Sequence, residues 1–235
     1  CLFEVCDQTW PAAAEHHVGP WLLRASPGGG KRVRAASATG PVGAGDIAAA
    51  EAALHDLGQP LLFQVRPGDE VVDTELAARG YALIDPVVML TAPIAQLMDQ
   101  PIPKVTAFAI WEPLAIMEEI WAAGGIDAAR LDVMARAKVK TGILSRWNEK
   151  PAGVAFAACH AGTCMVHAVE VLPHQRRQGV AQWMKRKAAF WGAEQGATRI
   201  AVLCVAQNHA ALSLYRALGF AEAGHYHYRI KEGGI

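Results

Sequence analysis

The chain has 235 residues, 52% of them apolar and 19% charged, a balance that excludes an extended disordered chain. No apolar run reaches the roughly 18 residues of a membrane-spanning helix. Net charge is zero but unevenly spread: 6 Lys and Arg stand against 12 Asp and Glu through Pro103, and 16 against 10 from Lys104 onward. An acidic half joined to a basic half points to two units with different jobs, the basic one suited to an anion such as the phosphates of a cofactor. The five cysteines (Cys1, Cys6, Cys159, Cys164 and Cys204) include no CxxC pair, so reduced thiols are expected rather than a disulfide framework or zinc knuckle. No basic segment followed by an apolar stretch opens the sequence as given, so a cytoplasmic protein without membrane association is expected.

Taken in order, Trp21 to Ala25 and Arg32 to Ser37 flank Gly28-Gly29-Gly30 and read as a flexible hairpin. The glycines lack the GxxxxGK spacing of a phosphate-binding loop. Asp46 to Leu57 reads as a helix with Gly58 at its end, Leu61 to Val65 as a strand, Glu70 to Arg79 as a helix before Gly80, and Tyr81 to Leu90 as a strand interrupted at Pro86. The segment 91–103 carries three prolines and predicts a helical turn and an extended linker. The boundary then falls near residues 95–105, giving units 1–98 and 99–235. In the second unit, helices are expected over Glu112 to Ala123 and Asp127 to Ala137. A meander follows over Gly142 to Trp147, Val154 to Cys159 and Cys164 to Leu172. A helix from Val180 to Gln195, a strand from Thr198 to Ala206, a helix from Asn208 to Leu218 and a strand from Tyr226 to Lys231 complete a mixed α/β layer. The endings Leu76-Ala-Ala-Arg-Gly-Tyr81 and Leu214-Tyr-Arg-Ala-Leu-Gly-Phe220 rhyme, a weak internal repeat that suggests duplication.

The stretch His167 to Ala181 carries the chemistry. An apolar strand ends at Pro173, a loop holds Arg176-x-x-Gly179-x-Ala181, and a long helix begins. Such a strand–loop–helix is an anion cradle: the first helical N–H groups lack partners and carry partial positive charge, and a residue without a side chain lets a diphosphate reach the backbone.

This loop matches the acetyl-CoA signature (Arg/Gln)-x-x-Gly-x-(Gly/Ala) of the GCN5-related N-acetyltransferases (GNAT). Downstream, Asn208-His-Ala-Ala211-Leu-Ser-Leu214-Tyr215-Arg-Ala-Leu-Gly219-Phe220 resembles the same family's second signature at every fixed position. The paired motifs cover roughly residues 104–235. Gly19-Pro-Trp-Leu-Leu-Arg-Ala25, Phe63-Gln-Val-Arg66 and His225-Tyr-His-Tyr-Arg229 make the whole chain similar to two-part members with a divergent N-terminal half. The resemblance implies tandem acyltransferase folds on mixed sheets, the first degenerate and the second intact. The first half has no such loop, so no second acetyl-CoA is expected there.

The resemblance also implies roles. Val169, Glu170 and Val171 would pair with the pantetheine arm, and a backbone N–H there would face the oxyanion. Arg176, Arg177, Gln178, Gly179, Val180 and Ala181 would hold the diphosphate, Asn208 the pantetheine arm, and Tyr215 would protonate the leaving thiolate. For the base, His167, Glu170 and a water chain remain open, and strict period-two alternation sets His167 and Glu170 on opposite faces. The implied co-substrate is acetyl-CoA and the acceptor a small-molecule or peptide amine, with no metal and no nucleic acid. A first unit that shapes the acceptor site or a homodimer contact is expected. A non-catalytic acyl-CoA sensor is the alternative.

Other residues carry plainer readings beside these. Asn208 suits a helix N-cap. Lys185-Arg186-Lys187 reads as a solvated face, or as a contact to the 3′-phosphate. His225 and His227 stand at i, i+2 without a third metal ligand. Of the seven tryptophans, Trp147 has the best claim to touch substrate.

Overall fold

Runs such as Ile200-Ala-Val202, buried on both sides, need cover on two faces of a sheet. In the computed structural model, which describes residues 1–231, they lie in one eleven-stranded sheet. The last four positions of the expected second unit fall outside the described residues. The first half comprises α1 (Leu2–Thr9), β1 (Ala14–Val18), β2 (Trp21–Ala25), β3 (Ala36–Ala38), α2 (Asp46–Asp56), β4 (Leu62–Val65), α3 (Glu70–Ala78) and β5 (Ala82–Pro93). The second comprises β6 (Ala107–Ile110), α4 (Ala115–Ala123), α5 (Ala128–Arg136), β7 (Val139–Trp147), β8 (Lys150–His160), β9 (Thr163–Val171), α6 (Val180–Glu194), β10 (Arg199–Val205), α7 (His209–Ala217) and β11 (Ala221–Ile230).

The strand order is β1-β2-β3-β4-β11-β5-β10-β9-β8-β7-β6. The final strand of each half crosses to the other: β5 pairs antiparallel with β10, and β11 with β4. The two exchanged strands pair with each other at the centre. Around that line the halves correspond, with β3 parallel to β4 as β9 is to β10. The rhyming helix ends correspond too. After α3, Gly80 (φ +85°) donates to Ala77 O and Tyr81 to Leu76 O; after α7, Gly219 (φ +84°) donates to Arg216 O and Phe220 to Tyr215 O. Both are the two-bond Schellman closure that requires a left-handed residue.

Three elements escape the sequence reading. β1 is a polar, mostly exposed edge strand, without the alternation that reveals a half-buried one. α1 and β6 are short. β5 runs unbroken through Pro86: Asp85 takes φ +45°, and a bulge lets Val87 face Tyr226 while Ile84 faces Tyr228. Bulges are where a sheet accepts a residue with no N–H to donate.

Residues cross between the halves in the cores as well. Leu90, Ala92, Ile94 and Leu97 pack under α6, while Trp10 and Val33 join Trp121, Val133 and Phe156 beneath α4 and α5. The triglycine loop is pinned rather than free. A Cβ at Gly28 would lie 2.8 Å from Ala129 Cβ, and one at Gly29 (φ +94°) 2.5 Å from Val133 Cγ2, so the loop lies flat on α5 because it has no side chains. His227 Nε2 and Arg229 Nε each sit 2.7 Å from Asp73 Oδ1, tying β11 to α3. Chiefly the Arg229 guanidinium holds the Asp73 carboxyl below its ordinary range.

Excising 99–235 strips α6 of three large buried side chains, Leu90, Ile94 and Leu97, each worth about 1.5–3 kcal/mol, against a total stability of only about 5–15 kcal/mol. The excised segment is expected not to fold, and the full chain to unfold in one calorimetric transition with equal calorimetric and van't Hoff enthalpies. A folded, soluble 99–235 fragment, or two separated transitions, would contradict this.

Candidate functional site

β9 and β10 pair only from Thr163–Val166 to Arg199–Val202, then diverge. From Ala168 to Val171 the edge of β9 that faces β10 has no strand partner. The divergence begins at a bulge. Val154 and Phe156 of β8 oppose Glu170 and His167, so β9 spends one extra residue there, and Ala168 takes φ +49°. The bulge overturns the period-two expectation: His167 and Glu170 share one face of the sheet. Trp121 Nε1 donates to Ala168 O at 2.8 Å and fixes the kink.

On the α6 side of the split lies a cleft of about 570 Å³ lined by Val169, Glu170, Val171, Arg176, Arg177, Gly179, Val180, Ala181 and Asn208 among others. Its base is the start of α6. Gly179 is the N-cap at φ +77° with no capping side chain, and Arg177 takes φ +62°. Among the described residues no backbone N–H from Arg177 to Ala181 has a protein acceptor. These free donors, the end of the helix dipole and two guanidinium groups make an anion site. Arg176 Nε donates to Val171 O at 3.2 Å, which braces the loop. Gln178 is exposed and does not line the cleft. Asn208 caps α7, its Oδ1 accepting from Ala211 N at 3.1 Å, which leaves its amide N–H groups to the cleft.

Glu170 also closes a small cavity against Gly124 at the end of α4. Any side chain at Gly124 would overlap the carboxyl. Burial raises the Glu170 proton affinity, opposed in part by Arg176. Tyr215 sits in the last turn of α7, packed edge-on to Phe220, 7% exposed and just behind the cleft, whose lining includes its neighbour Leu214 but not Tyr215 itself; burial, then the neighbouring Cys204, pushes its phenol well up. Over its ring at 4.6 Å stands Lys185 Nζ. Lys185 is thus no solvated charge: it is 2% exposed, and burial lowers its pKa to about 8. Arg186 pairs with Asp99 at 3.1 Å. Trp147 flanks the β7–β8 turn and lines neither this cleft nor the pocket across the split.

His167 lies outside both, 4% exposed. Arg32 NH1 is 3.0 Å from its Nδ1, and its Nε2 is 2.9 Å from Thr9 Oγ1. Thr9 Oγ1 donates to Val5 O, so it accepts from Nε2–H, and Arg32 donates to an unprotonated Nδ1. Burial, then Arg32, holds the imidazole pKa well below its ordinary value. Both ring nitrogens are occupied.

Across the split from the cleft is a pocket of about 280 Å³. Leu203, Cys204 and Val205 of β10, Tyr226 and Tyr228 of β11, Arg130 of α5 and Ala168 line it from the second half. Trp10, Gly29, Gly30, Lys31 and Arg32 line it from the first. The contributions of Arg32, Arg130 and Lys185 were invisible in the sequence. Lys185 stands in a charged run, and Arg32 is carried to the pocket beside Arg130 of α5 by the docking of the triglycine loop on that helix.

Residues 114–220 match the acetyltransferase (GNAT) family. That match covers most of the second half of the chain. The chain is 26% identical over 233 residues to an uncharacterized N-acetyltransferase, YobR, of Bacillus subtilis, covering 95% of this chain and 94% of that one. In fold it resembles a GCN5-related N-acetyltransferase from Kribbella flavida (TM-score 0.70, 19% identity, 99% and 95% coverage). It also resembles a tandem GNAT protein from the clavulanic acid biosynthesis pathway (TM-score 0.60, 13% identity, 98% and 87% coverage). The likeness therefore runs across both halves. No helix among the described residues is long and apolar enough to cross a membrane.

Lys185 offers a test of electrostatics in the second half of the chain. Its folded pKa, about 8, lies below the unfolded value of about 10.4. The folded state bears the full burden of the buried charge below pH 8 and sheds it as pH rises from about 8 to 10.4. Lys185→Met is expected to raise stability at pH 7 by about 3 kcal/mol, on the order of the shift itself, with an advantage that shrinks between pH 8 and 10.4. Urea melts of both proteins across that range check the sign.

Proposed function

We propose that the protein transfers the acetyl group of acetyl-CoA to a primary amine. The observation that carries the reading is the row of unsatisfied backbone N–H groups from Arg177 to Ala181 at the foot of the β9–β10 split. The diphosphate rests on these donors, flanked by Arg176 and Arg177. The pantetheine arm runs along the open edge of β9 at Val169, Glu170 and Val171, with the Asn208 amide alongside. The thioester then lies at the Ala168 bulge, between the cleft and the pocket across the split.

The amine lone pair attacks the thioester carbonyl carbon, and a C–N bond forms as the carbonyl oxygen takes up negative charge. Backbone N–H groups of the open β9 edge stabilise that oxyanion. When the C–S bond breaks, sulfur leaves with the electron pair and takes a proton from Tyr215, whose buried phenol stays protonated throughout the physiological range. Of the two side chains considered as base, Glu170 is the one at the cleft. Its raised proton affinity suits it to accept the amine's proton, directly or through water. His167, with both nitrogens engaged, serves instead to position Arg32.

The segment 1–98 is the degenerate counterpart of the GNAT unit 99–235. Its β3 has three residues, and its α2 opens on Asp46, whose carboxylate already accepts from Gly43 N at 2.7 Å. A carboxylate at that helix start repels a diphosphate.

Titration calorimetry with acetyl-CoA is expected to show one equivalent bound, and no binding to Gly179→Glu, which sets bulk and negative charge in the cradle. Two equivalents, or undiminished binding by the variant, would refute the site. Tyr215→Phe is expected to lower kcat about 100-fold with the acetyl-CoA KM unchanged. Binding without turnover of any amine would favour an acyl-CoA sensor.

A further inference from the structure

We infer that the pocket across the β9–β10 split takes a small amine that also carries a carboxylate, with Arg32 as the carboxylate's anchor. The inference rests on the transferase reading above and names its acceptor.

The charges lining the pocket are Lys31, Arg32, Arg130 and Asp85. Asp85 is already paired with Lys31 at 2.7 Å, and Arg130 sits 3.3 Å from Asp127 at the start of α5. Arg32 has no carboxylate partner among the described residues. One of its N–H groups meets His167 Nδ1, and its guanidinium lies 4.7 Å over the Trp10 ring. Its other N–H groups donate to no protein acceptor among the described residues. Trp10 and a neutral histidine thus hold a cation in place without neutralising it. The planar fork of a guanidinium matches a carboxylate with two parallel hydrogen bonds, and an anion here gains more than it would on an open surface because protein walls displace water.

Position narrows the ligand further. Arg32 touches His167, and His167 immediately precedes the Ala168 bulge. A carboxylate on Arg32 therefore lies close to the point where the amine must attack, which fits a molecule whose two groups are a few bonds apart. The pocket, about 280 Å³, is about half the size of the cleft on the α6 side, which suits a compact acceptor. The first half supplies the anchor and the loop that seats it, so its part in the reaction is to select the acceptor.

The test measures thiol release from acetyl-CoA with matched acceptors: a panel of L-amino acids and β-alanine, each beside its carboxamide, and 2-aminoethyl phosphate. At least one acid is expected to exceed its amide ten-fold or more in kcat/KM. Arg32→Lys keeps the charge and a donor to His167 but loses the fork; it should raise the acid's KM ten-fold or more, bring the acid-to-amide ratio toward one, and leave the acetyl-CoA KM and the melting temperature unchanged. Equal use of acid and amide, preference for the amide or the phosphate ester, or an Arg32→Lys variant that keeps the acid preference would each overturn the inference. If no acceptor turns over, calorimetry of the same acids into the CoA-bound protein decides: binding weakened by Arg32→Lys supports it, and no binding overturns it. The transferase reading stands or falls separately, on acetyl-CoA binding and its loss in Gly179→Glu.

Discussion

The pairing of β5 with β11 at the middle of the sheet holds the two halves in one object. Each half lends its last strand to the other, so the central pair is flanked by β4 on one side and β10 on the other. Backbone groups along four strands are satisfied only when both halves are present, and an open edge at any of them would be an unpaired row of donors and acceptors. Everything that makes the pocket follows from this join. Tyr226 and Tyr228 form one wall because β11 has crossed over. Arg32 reaches His167 because the β2–β3 loop is carried onto α5.

The split between β9 and β10 then separates two environments. On the α6 side, free amides and guanidinium groups favour a large anion. On the other, aromatic rings and a single unneutralised arginine favour a small one. The Ala168 bulge stands between them, and its position is fixed by the Trp121 indole rather than by β-sheet register alone. One extra residue in β9 thereby decides which of its side chains line the cleft and which lie behind it.

Much of this was legible in the sequence because its signals are local. The helix starting at Gly179, the cap at Asn208 and the glycines after α3 and α7 are written in consecutive residues, and their geometry follows from positive φ and unpaired amides. The open edge of β9 was legible only through the family's paired motifs. What escaped is non-local. Whether His167 faces the cleft depends on a bulge that alternation cannot show. Lys185 stands in a row of charges, yet α7 covers it. The triglycine segment reads as a flexible hairpin because glycine is permissive, but here it is there to let two backbones approach.

The strand exchange also sets an order of events during synthesis. The first half emerges complete in sequence but not in structure: β4 lacks the neighbour that only β11 supplies, and β5 has neither of its own. Leu90 and Ala92, buried in the finished sheet, remain without their cover until the second half has been made, and the sheet closes only when β11 threads into the centre. An apolar strand kept waiting in this way is a natural substrate for chaperones. The insertion of β11 between β4 and β5 joins segments far apart in the sequence, the class of pairing that forms slowly.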